Sequence, residues 1–333
     1  MLRAKITGVG SSLPEKVLTN ADLEKIVETS DEWITTRTGI KERRILSEGE
    51  HLSDYCVKAA KEALEKSGTA PDELDLIING TFTPDFFLPS NACVIQNKLG
   101  VTRDVPAFDL AAACSGFVYG LETANHFIRS GQYKKILVIG GDALSAFTNW
   151  ADRGSCVLFG DGAGAAVVEG SHDSTEGILS ADLGAAGRHL NILKVEGGGS
   201  VMPGPALLDD PSLKNKYYIE MAGNELFKIV TRLVVDSVKR AIDKAGLTIQ
   251  DIDYFVPHQA NIRIIDYVAE KLGMPKEKVA VTIHKYGNNS AASVPVTLYD
   301  SLCEGKIKKG DNVVMTAFGA GLTYASMVVR WAY

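Results

Sequence analysis

Residues 63–68, ALEKSG, align without gaps to residues 241–246, AIDKAG, at an offset of 178 (241 − 63). The similarity continues from residues 73–78 into residues 251–256. A second alignment pairs residues 130–135 with residues 304–309 at an offset of 174 (305 − 131). Two matches in the same order, at nearly equal offsets, predict that the chain is an internally duplicated fold.

Short apolar runs alternate with longer stretches of helical period on both sides of these matches. The runs at 75–78, 135–139, 279–283 and 313–318 predict buried strands. Ser53 is the predicted N-cap of an amphipathic helix that stops at Gly68, and a second helix stops at Gly246. The alternation predicts an α/β architecture with covered sheets. Because residues 170–215 are rich in loop signals, we expect two halves, 1–170 and 171–333.

Composition excludes several classes of function. The chain has 333 residues, with 35 Lys+Arg against 41 Asp+Glu, so its formal net charge is −6. That balance disfavours binding to nucleic acid or to an anionic membrane surface. No apolar run approaches the ~18 residues of a membrane span, and Thr7 and Gly8 interrupt the start before a secretory core can form. We expect a soluble, cytoplasmic protein without nucleic-acid or membrane partners.

The cysteines form no recognisable framework. Their number is odd and no Cys-x-x-Cys pair occurs, which argues against disulfides, a zinc site or any other metal site. A buried cysteine is more often a packing residue than a catalytic one. The five stand at Cys56, Cys93, Cys114, Cys156 and Cys303.

Cys114 differs from the other four in its setting. It lies between a strand-like run and a helical run, and the 174-residue offset makes it the equivalent of Asn288 (114 + 174). Pseudo-twofold symmetry is therefore expected to bring two helix N-termini to one shared site. Because a helix N-terminus favours anions, the pKa of the Cys114 thiol is predicted to be lowered.

His258 is the histidine with the clearest functional setting. It follows the predicted strand 254–256 and opens the polar cluster His258-Gln259-Ala260-Asn261. Open α/β sheets place their sites at the carboxyl ends of strands. A cysteine nucleophile with a distant His and Asn is a known catalytic set, so Cys114, His258 and Asn288 support one another.

The glycine-rich segments do not predict a nucleotide site. Residues 160–164, GDGAG, lack the full G-x-G-x-x-G spacing and run into a strand-like segment. Residues 318–322, FGAGL, follow a predicted buried strand. They are compatible with a backbone N–H close to a substrate oxygen and equally with an ordinary tight turn.

Taken together, the chain resembles the β-ketoacyl-acyl-carrier-protein synthase III family of the thiolase-fold superfamily. The segments that carry the resemblance span nearly the whole chain in the family's order. The resemblance implies a five-layered αβαβα fold of two pseudo-repeated halves, and a homodimer. The matching segments are TSDEWITTRTGI (29–40), AACSG (112–116), FGDGAGA (159–165), PHQAN (257–261) and YGN (286–288).

Carried over by position, the resemblance assigns roles around the nucleophile. Cys114 resembles the residue that accepts the acyl primer, and His258 and Asn288 resemble the pair that promotes decarboxylation and condensation. The backbone N–H groups of Cys114 and Gly321 match the family's oxyanion hole. Leu88 stands where an aromatic residue often shapes the acyl pocket across the dimer interface, so the length of the primer stays open.

The resemblance also assigns binding residues. One set matches positions that hold coenzyme A and its pantetheine arm, and a second matches the surface offered to the acidic carrier protein. The coenzyme A set is Thr29, Trp33, Arg37, Arg153, Asn224, Phe227, Ala260 and Asn261, and the carrier-protein set is Lys228, Arg263 and Gln259.

The implied reaction suits these residue types. A thiolate is both a nucleophile and a leaving group, as acyl transfer between thioesters requires. Loss of CO₂ from a malonyl thioester leaves an enolate, which the neutral His258 imidazole and the Asn288 amide can stabilise by donating hydrogen bonds. The expected substrates are an acyl-CoA, most simply acetyl-CoA, and malonyl-acyl-carrier protein, with no cofactor.

The sequence disfavours one alternative function and leaves a second one open. A papain-like hydrolase is disfavoured because its C-G-[SA]-C-[WY] signature is absent around Cys114. A related ketosynthase of specialised metabolism stays open, since the difference would lie in the shape of the pocket.

Overall fold

The computed structural model of the protein describes residues 2–173 and 175–333. None of the helices in these ranges is long and apolar enough to cross a bilayer. The strands are β1 (Arg3–Ser12), β2 (Val17–Thr19), β3 (Glu42–Arg44), β4 (Leu76–Gly80), β5 (Ala107–Leu110), β6 (Lys135–Ala143), β7 (Asp161–Ser171), β8 (Gly177–Ala185), β9 (Leu193–Lys194), β10 (Glu220–Met221), β11 (Tyr254–Pro257), β12 (Asn312–Gly319) and β13 (Thr323–Arg330). The helices are α1 (Asn20–Leu23), α2 (Asp31–Thr38), α3 (Leu52–Ser67), α4 (Asn91–Leu99), α5 (Gly116–Arg129), α6 (Arg153–Cys156), α7 (Gly204–Asp209), α8 (Gly223–Lys244), α9 (Ile262–Leu272), α10 (Ile283–Tyr286) and α11 (Ser293–Cys303).

Two sheets with the same internal pattern organise the chain. The first has the order β1-β7-β6-β4-β5, and the second has the order β8-β13-β12-β11. In each sheet two antiparallel pairings are followed by a parallel one, β6 with β4 and β12 with β11. The repeated order agrees with the predicted duplication, while the boundary between residues 170 and 171 stays a prediction.

The hydrophobic residues divide into layers because successive side chains of a strand point to opposite faces. On β6, Ile136 and Val138 join a core between the two sheets, which also contains the apolar faces of α5 and α11. Leu137 and Ile139 face the other way and pack against α3 and α4. Helices α8 and α9 cover the outer face of the second sheet. The order helix, sheet, helix, sheet, helix is the expected five-layered αβαβα arrangement.

One predicted strand is absent. Residues 279–283 make only an isolated parallel bridge, Val279 with Phe255 of β11, and Ile283 already belongs to α10. The bridge lies beside β11 as β5 lies beside β4, so the second sheet lacks the edge strand that the first one has. An apolar run of this length does not distinguish a strand from a buried loop.

The predicted equivalence of Cys114 and Asn288 is also wrong, by three residues. The first residues of α5 and α11 are 177 apart (293 − 116), as are Ala113 and Ser290, whose φ angles are 47° and 52°. Helix α11 has 11 residues against 14 in α5, so the 174-residue offset holds only after the helices end. Asn288 therefore lies ahead of the turn that corresponds to the Cys114 turn.

The predicted helix stops are confirmed, but one predicted start is not. Gly68 and Gly246 both have positive φ, at 67° and 70°, where α3 and α8 end. Helix α3 begins two residues earlier than predicted, with His51 as its N-cap. Ser53 instead donates a hydrogen bond to the carboxylate of Asp85. Its side chain has a long-range partner, which a local capping rule does not include.

Candidate active site

Cys114 lies in the turn that connects β5 to α5. The turn Ala113–Ser115 is a 3₁₀ segment that leads directly into α5. Gly319, the last residue of β12, packs closely against it, because a Cβ atom there would lie 2.6 Å from the Cys114 backbone nitrogen. The nucleophile turn of one half is thus held by the end of a strand from the other half.

His258 follows β11 and is almost fully buried, with 2% of its surface exposed. Its Nδ1 lies within hydrogen-bond distance of the Ser293 hydroxyl at the start of α11, and its ring packs edge-on against Phe318. Burial lowers the pKa of His258 to about 3, because the charged imidazolium would lose its hydration. His258 is therefore neutral at physiological pH.

Asn288 is held between the two halves. Its backbone N–H donates to the carbonyl of Leu158, and its own carbonyl accepts from Gly160. Its side-chain Oδ1 accepts a hydrogen bond from the backbone N–H of Ser290 at 3.0 Å. Gly287, with φ of 65°, lets the chain pass the Leu158 carbonyl, from which a Cβ atom would lie only 2.9 Å away. The amide orientation is thus set by backbone contacts.

A cavity of about 120 Å³ joins the three predicted catalytic side chains. Cys114, His258 and Asn288 all line it, although the elements that carry them come from different parts of the chain. Most of the remaining lining is apolar, and Cys114 itself is half-buried. The other residues of its wall are Leu158, Phe159, Leu193, Met221, Gly223, Leu226, Phe227, Ala260, Asn261, Ile264, Phe318 and Gly319.

Burial changes the expected chemistry of the nucleophile. It raises the pKa of the Cys114 thiol to about 12, and the hydrogen bond that Ser290 Oγ donates to Cys114 Sγ at 3.2 Å opposes this rise only in part. The sequence predicts a lowered pKa from the helix N-terminus, and burial acts in the opposite direction. Attack on a thioester requires the thiolate, so the thiol proton must leave Cys114 before or during the attack.

A wide cleft of about 690 Å³ contains most of the predicted coenzyme A residues. Trp33 is flanked by two guanidinium groups, with Arg37 Cζ at 4.9 Å and Arg153 Cζ at 4.6 Å from its ring centroid. Asn261 caps α9 and donates from its side chain to the Arg37 carbonyl at 3.1 Å. The predicted residues that line the cleft are Trp33, Arg37, Asn224, Phe227, Lys228, Asn261 and Arg263.

The carrier-protein set is only partly accessible. Lys228 and Arg263 are exposed and line the cleft. Gln259 is buried, with 1% of its surface exposed, and its amide donates to Pro257 and Ala280 and accepts from Thr282 and Ile283. A side chain with all these internal partners cannot reach a docked protein, so its assignment to the carrier surface is wrong.

Three further predicted residues, Gly321, Leu88 and Thr29, line neither of the cavities already described. Ala320 lines an apolar pocket of about 230 Å³ beside Cys114, and Gly321 follows it with φ of 132°. Leu88 is 87% exposed, next to the exposed Phe86 and Phe87. The Thr29 hydroxyl is buried with no hydrogen-bond partner in residues 2–173 and 175–333.

Sequence reasoning missed the polar residues that support the cysteine and the histidine. Ser290 donates to Cys114, Ser293 contacts His258, and Asp142 is a fully buried carboxylate at the end of β6. The signal for Asp142 was present, because a carboxylate three residues after the predicted buried strand 135–139 lies where α/β folds place their sites. Ser290 and Ser293 had no such signal, since serines are common in turns.

Comparison with known proteins places this geometry in a family. Family profiles for 3-oxoacyl-[acyl-carrier-protein] synthase III match residues 108–187 and, for the C-terminal part, residues 242–331. The chain is 50% identical over 329 residues to the β-ketoacyl-[acyl-carrier-protein] synthase III of Clostridioides difficile, covering 99% of this chain and 98% of that one. It is 48% identical over 332 residues to that of Desulfitobacterium hafniense, covering 100% and 99%.

The fold agrees with a solved structure. The 3-oxoacyl-[acyl-carrier-protein] synthase III of Aquifex aeolicus superimposes with a TM-score of 0.91 and 48% identity, over 98% of this chain and 100% of that one. The chain therefore belongs to the β-ketoacyl-[acyl-carrier-protein] synthase III family, condensing acyltransferases of fatty acid synthesis with the thiolase fold.

Proposed function

We propose that the protein starts fatty acid chains by condensing an acyl-CoA primer, most simply acetyl-CoA, with malonyl-acyl-carrier protein. The observation that carries this proposal is the cavity on which Cys114, His258 and Asn288 converge. This cavity and the wide cleft that contains Trp33 and Arg37 share Leu158, Phe227 and Asn261 in their walls.

In the first half-reaction, Cys114 attacks the thioester carbonyl of the primer. A Cys–acyl thioester forms, the bond to coenzyme A breaks, and the thiol proton leaves Cys114 and ultimately protonates the departing thiolate of coenzyme A. The oxyanion is stabilised by the backbone N–H groups of Cys114 and Gly321. The acyl chain enters the apolar pocket next to Cys114, which Phe82, Leu144 and Ile219 help to line.

In the second half-reaction, malonyl-carrier protein loses CO₂ and the resulting enolate attacks the acyl–Cys114 carbonyl. His258 and Asn288 stabilise the enolate oxygen as neutral donors, through Nε2–H and the side-chain amide. The low pKa of His258, about 3, supports a neutral role. The products are a 3-oxoacyl-carrier protein and CO₂, and Cys114 is regenerated. No resident metal or organic cofactor is needed for these steps.

The binding surfaces are assigned from the resemblance to the family and from the residues that line the cleft. Trp33, Arg37 and Arg153 hold the nucleotide part of coenzyme A, and Asn224, Phe227, Ala260 and Asn261 hold the pantetheine arm, with Thr29 nearby. Lys228 and Arg263 face the acidic carrier protein. The exposed apolar run 86–88 supports a homodimer in which Leu88 closes the acyl pocket of the partner.

Intact-protein mass after incubation with acetyl-CoA tests the proposal. We expect one added acetyl group, mapped by peptide mass to Cys114, and its removal with release of CO₂ on addition of malonyl-carrier protein. Cys114→Ala is expected to take up no label. Exposed Cys93 and Cys303 provide internal controls, because they are accessible but lack the cavity. A stable acetyl group on either of them, with Cys114 unmodified, would contradict the assignment.

A further inference from the structure

Arg43 is a buried arginine that the proposed reaction does not use. It lies on β3 with none of its surface exposed. Its guanidinium donates to the carbonyls of Leu18 and Val157, at 3.0 and 2.9 Å, and to the side-chain oxygen of Asn20 at 2.9 Å. All three acceptors are neutral, so no bonded carboxylate offsets the cost of burying the charge. Three directed hydrogen bonds from one rigid group instead indicate a role in geometry.

One of these hydrogen bonds connects Arg43 to the support of Asn288. The backbone N–H of Asn288 donates to the Leu158 carbonyl, and the Asn288 carbonyl accepts from the Gly160 N–H, both at 2.9 Å. Val157, whose carbonyl accepts from Arg43 Nη2, directly precedes Leu158. The guanidinium therefore fixes the start of the short segment to which the Asn288 backbone is bound.

The aliphatic part of Arg43 packs against the same pairing. A Cβ atom built on Gly160 or on Gly287 would lie 3.1 Å from Arg43 Cβ, closer than side chains usually pack. Gly160 is bonded to Asn288, and Gly287 directly precedes it. Because interior contacts at this density transmit small displacements, a shift of Arg43 is expected to move Asn288 as well.

We propose that Arg43 is a positioning residue for Asn288. It clamps residues 157–160 to β2 and α1, and so holds the Asn288 amide where it can donate a hydrogen bond to the enolate oxygen. Arg43 itself touches no reacting atom and exchanges no proton. Its effect is on the distance and angle of one donor, which a displacement of less than 1 Å is enough to spoil. This assignment rests on the proposed role of Asn288 in condensation.

The other two catalytic side chains have different supports. The backbone N–H of His258 donates to the Thr316 carbonyl of β12 at 2.7 Å. The Cys114 turn packs against Gly319 at the end of the same strand. Arg43 bonds to neither support, so its loss is expected to affect the half-reaction that needs Asn288 and to spare acylation of Cys114.

Hydrogen exchange tests the clamp without any substrate. Arg43→Met keeps an unbranched side chain but removes all three hydrogen bonds. The N–H groups of Gly160 and Asn288 should then exchange about tenfold faster than in the wild type, because the segment that pairs them opens more often. The His258 N–H, which is bonded to β12, should exchange at the wild-type rate. Unchanged exchange at both Gly160 and Asn288 would overturn the proposal.

The two half-reactions provide a second measurement. In Arg43→Met, decarboxylation of malonyl-carrier protein should fall about tenfold in kcat with little change in KM, whereas acetylation of Cys114 should stay within about twofold. If this variant does not fold, Arg43→Lys decides, because it keeps the charge but lacks the planar fork and should show the same selective loss. Asp182→Asn is the control, since it alters another buried charged side chain, bonded to Arg240 and Lys244, and should change neither half-reaction.

A double-mutant cycle separates positioning from general damage. In an Asn288→Ala background, Arg43→Met should slow decarboxylation by less than about twofold, since the donor that it positions is already gone. A tenfold loss in both backgrounds, or equal losses of acetylation and decarboxylation, would show that Arg43 supports the fold as a whole and would overturn the proposal. Faster exchange at Asn288 in Arg43→Met, together with wild-type decarboxylation in Asn288→Ala, would support the clamp and contradict the proposed role of Asn288 in the reaction.

Discussion

Burial determines the protonation states of Cys114 and His258. It raises the pKa of the thiol to about 12 and lowers that of the imidazole to about 3, so both are neutral at physiological pH. The Ser293 hydroxyl lies within hydrogen-bond distance of His258 Nδ1. A neutral imidazole that accepts a hydrogen bond at Nδ1 carries its proton on Nε2, where it can donate to an enolate. The two residues are thus suited to different half-reactions.

We predict that His258→Ala and Asn288→Ala still form the acyl-enzyme but lose condensation by about 100-fold, because each removes a donor to the enolate oxygen. Cys114→Ala should abolish acylation and keep some decarboxylation of malonyl-carrier protein. Acyl-enzyme mass and CO₂ release, measured on each variant, check this division. His126→Ala, an exposed histidine near the end of α5, serves as the control.

The pH profile provides a further check on the same residues. His258 takes up a proton only when the pH falls to about 3, so wild-type CO₂ release should show no His258 step between about pH 5 and 8. A loss of rate centred near pH 6.5 that disappears in His258→Ala would mean that the imidazole titrates normally, contrary to its burial.

Residue type and position predicted the catalytic residues of the site but not the buried polar residues and cavity wall that surround them. Cys114 and His258 could be found because each follows a strand, where α/β folds place their sites. The burial of Gln259 and the contacts of Asp142 depend on elements more than 20 residues away in sequence, such as α10 and the turn Ser290–Ala292. The raised pKa of Cys114 depends on burial by the whole cavity wall, and a local sequence pattern does not describe that wall.

At the scale of elements, the site depends on where the end of β12 meets the Cys114 turn. Gly319 makes this approach possible, since a Cβ atom there would lie 2.6 Å from the Cys114 nitrogen and 2.9 Å from Ala113 Cβ. The predicted strand 313–318 located β12 well, but nothing in its sequence indicated a partner in the other half. Contacts between halves follow from the packing of both sheets on α5 and α11.

We predict that Gly319→Ala displaces the Cys114 turn, slowing acetylation at least tenfold and destabilising the protein by about 1–3 kcal/mol. Single-turnover acetylation and thermal unfolding measure the two effects. Gly199→Ala is the matched control, because its φ is not positive and a Cβ atom there would meet nothing within 4 Å in residues 2–173 and 175–333 beyond its chain neighbours. Equal behaviour of the two variants would show that the turn tolerates a methyl group at residue 319.

At the scale of the whole molecule, net charge and local charge differ in sign. The chain has a formal net charge of −6, yet the positively charged Lys228 and Arg263 are exposed and line the wide cleft. Association with a charged partner depends on the field where it docks, so a local basic patch can attract an acidic carrier protein. The net charge does not reveal this patch, because only the fold brings α8 and α9 together to form it.

We predict that Arg263→Glu weakens the use of malonyl-carrier protein far more than acetylation by acetyl-CoA, because the carrier docks on a larger charged surface than a small thioester does. Lys271→Glu makes the same change in net charge near the other end of α9, about 12 Å along the helix, and should affect neither half-reaction as strongly. Both half-reactions should be measured at low and moderate salt. Screening should reduce the Arg263→Glu defect at higher salt, since exposed charges interact over about a Debye length. An equal loss in both half-reactions, or a defect independent of salt, would contradict a docking role for Arg263.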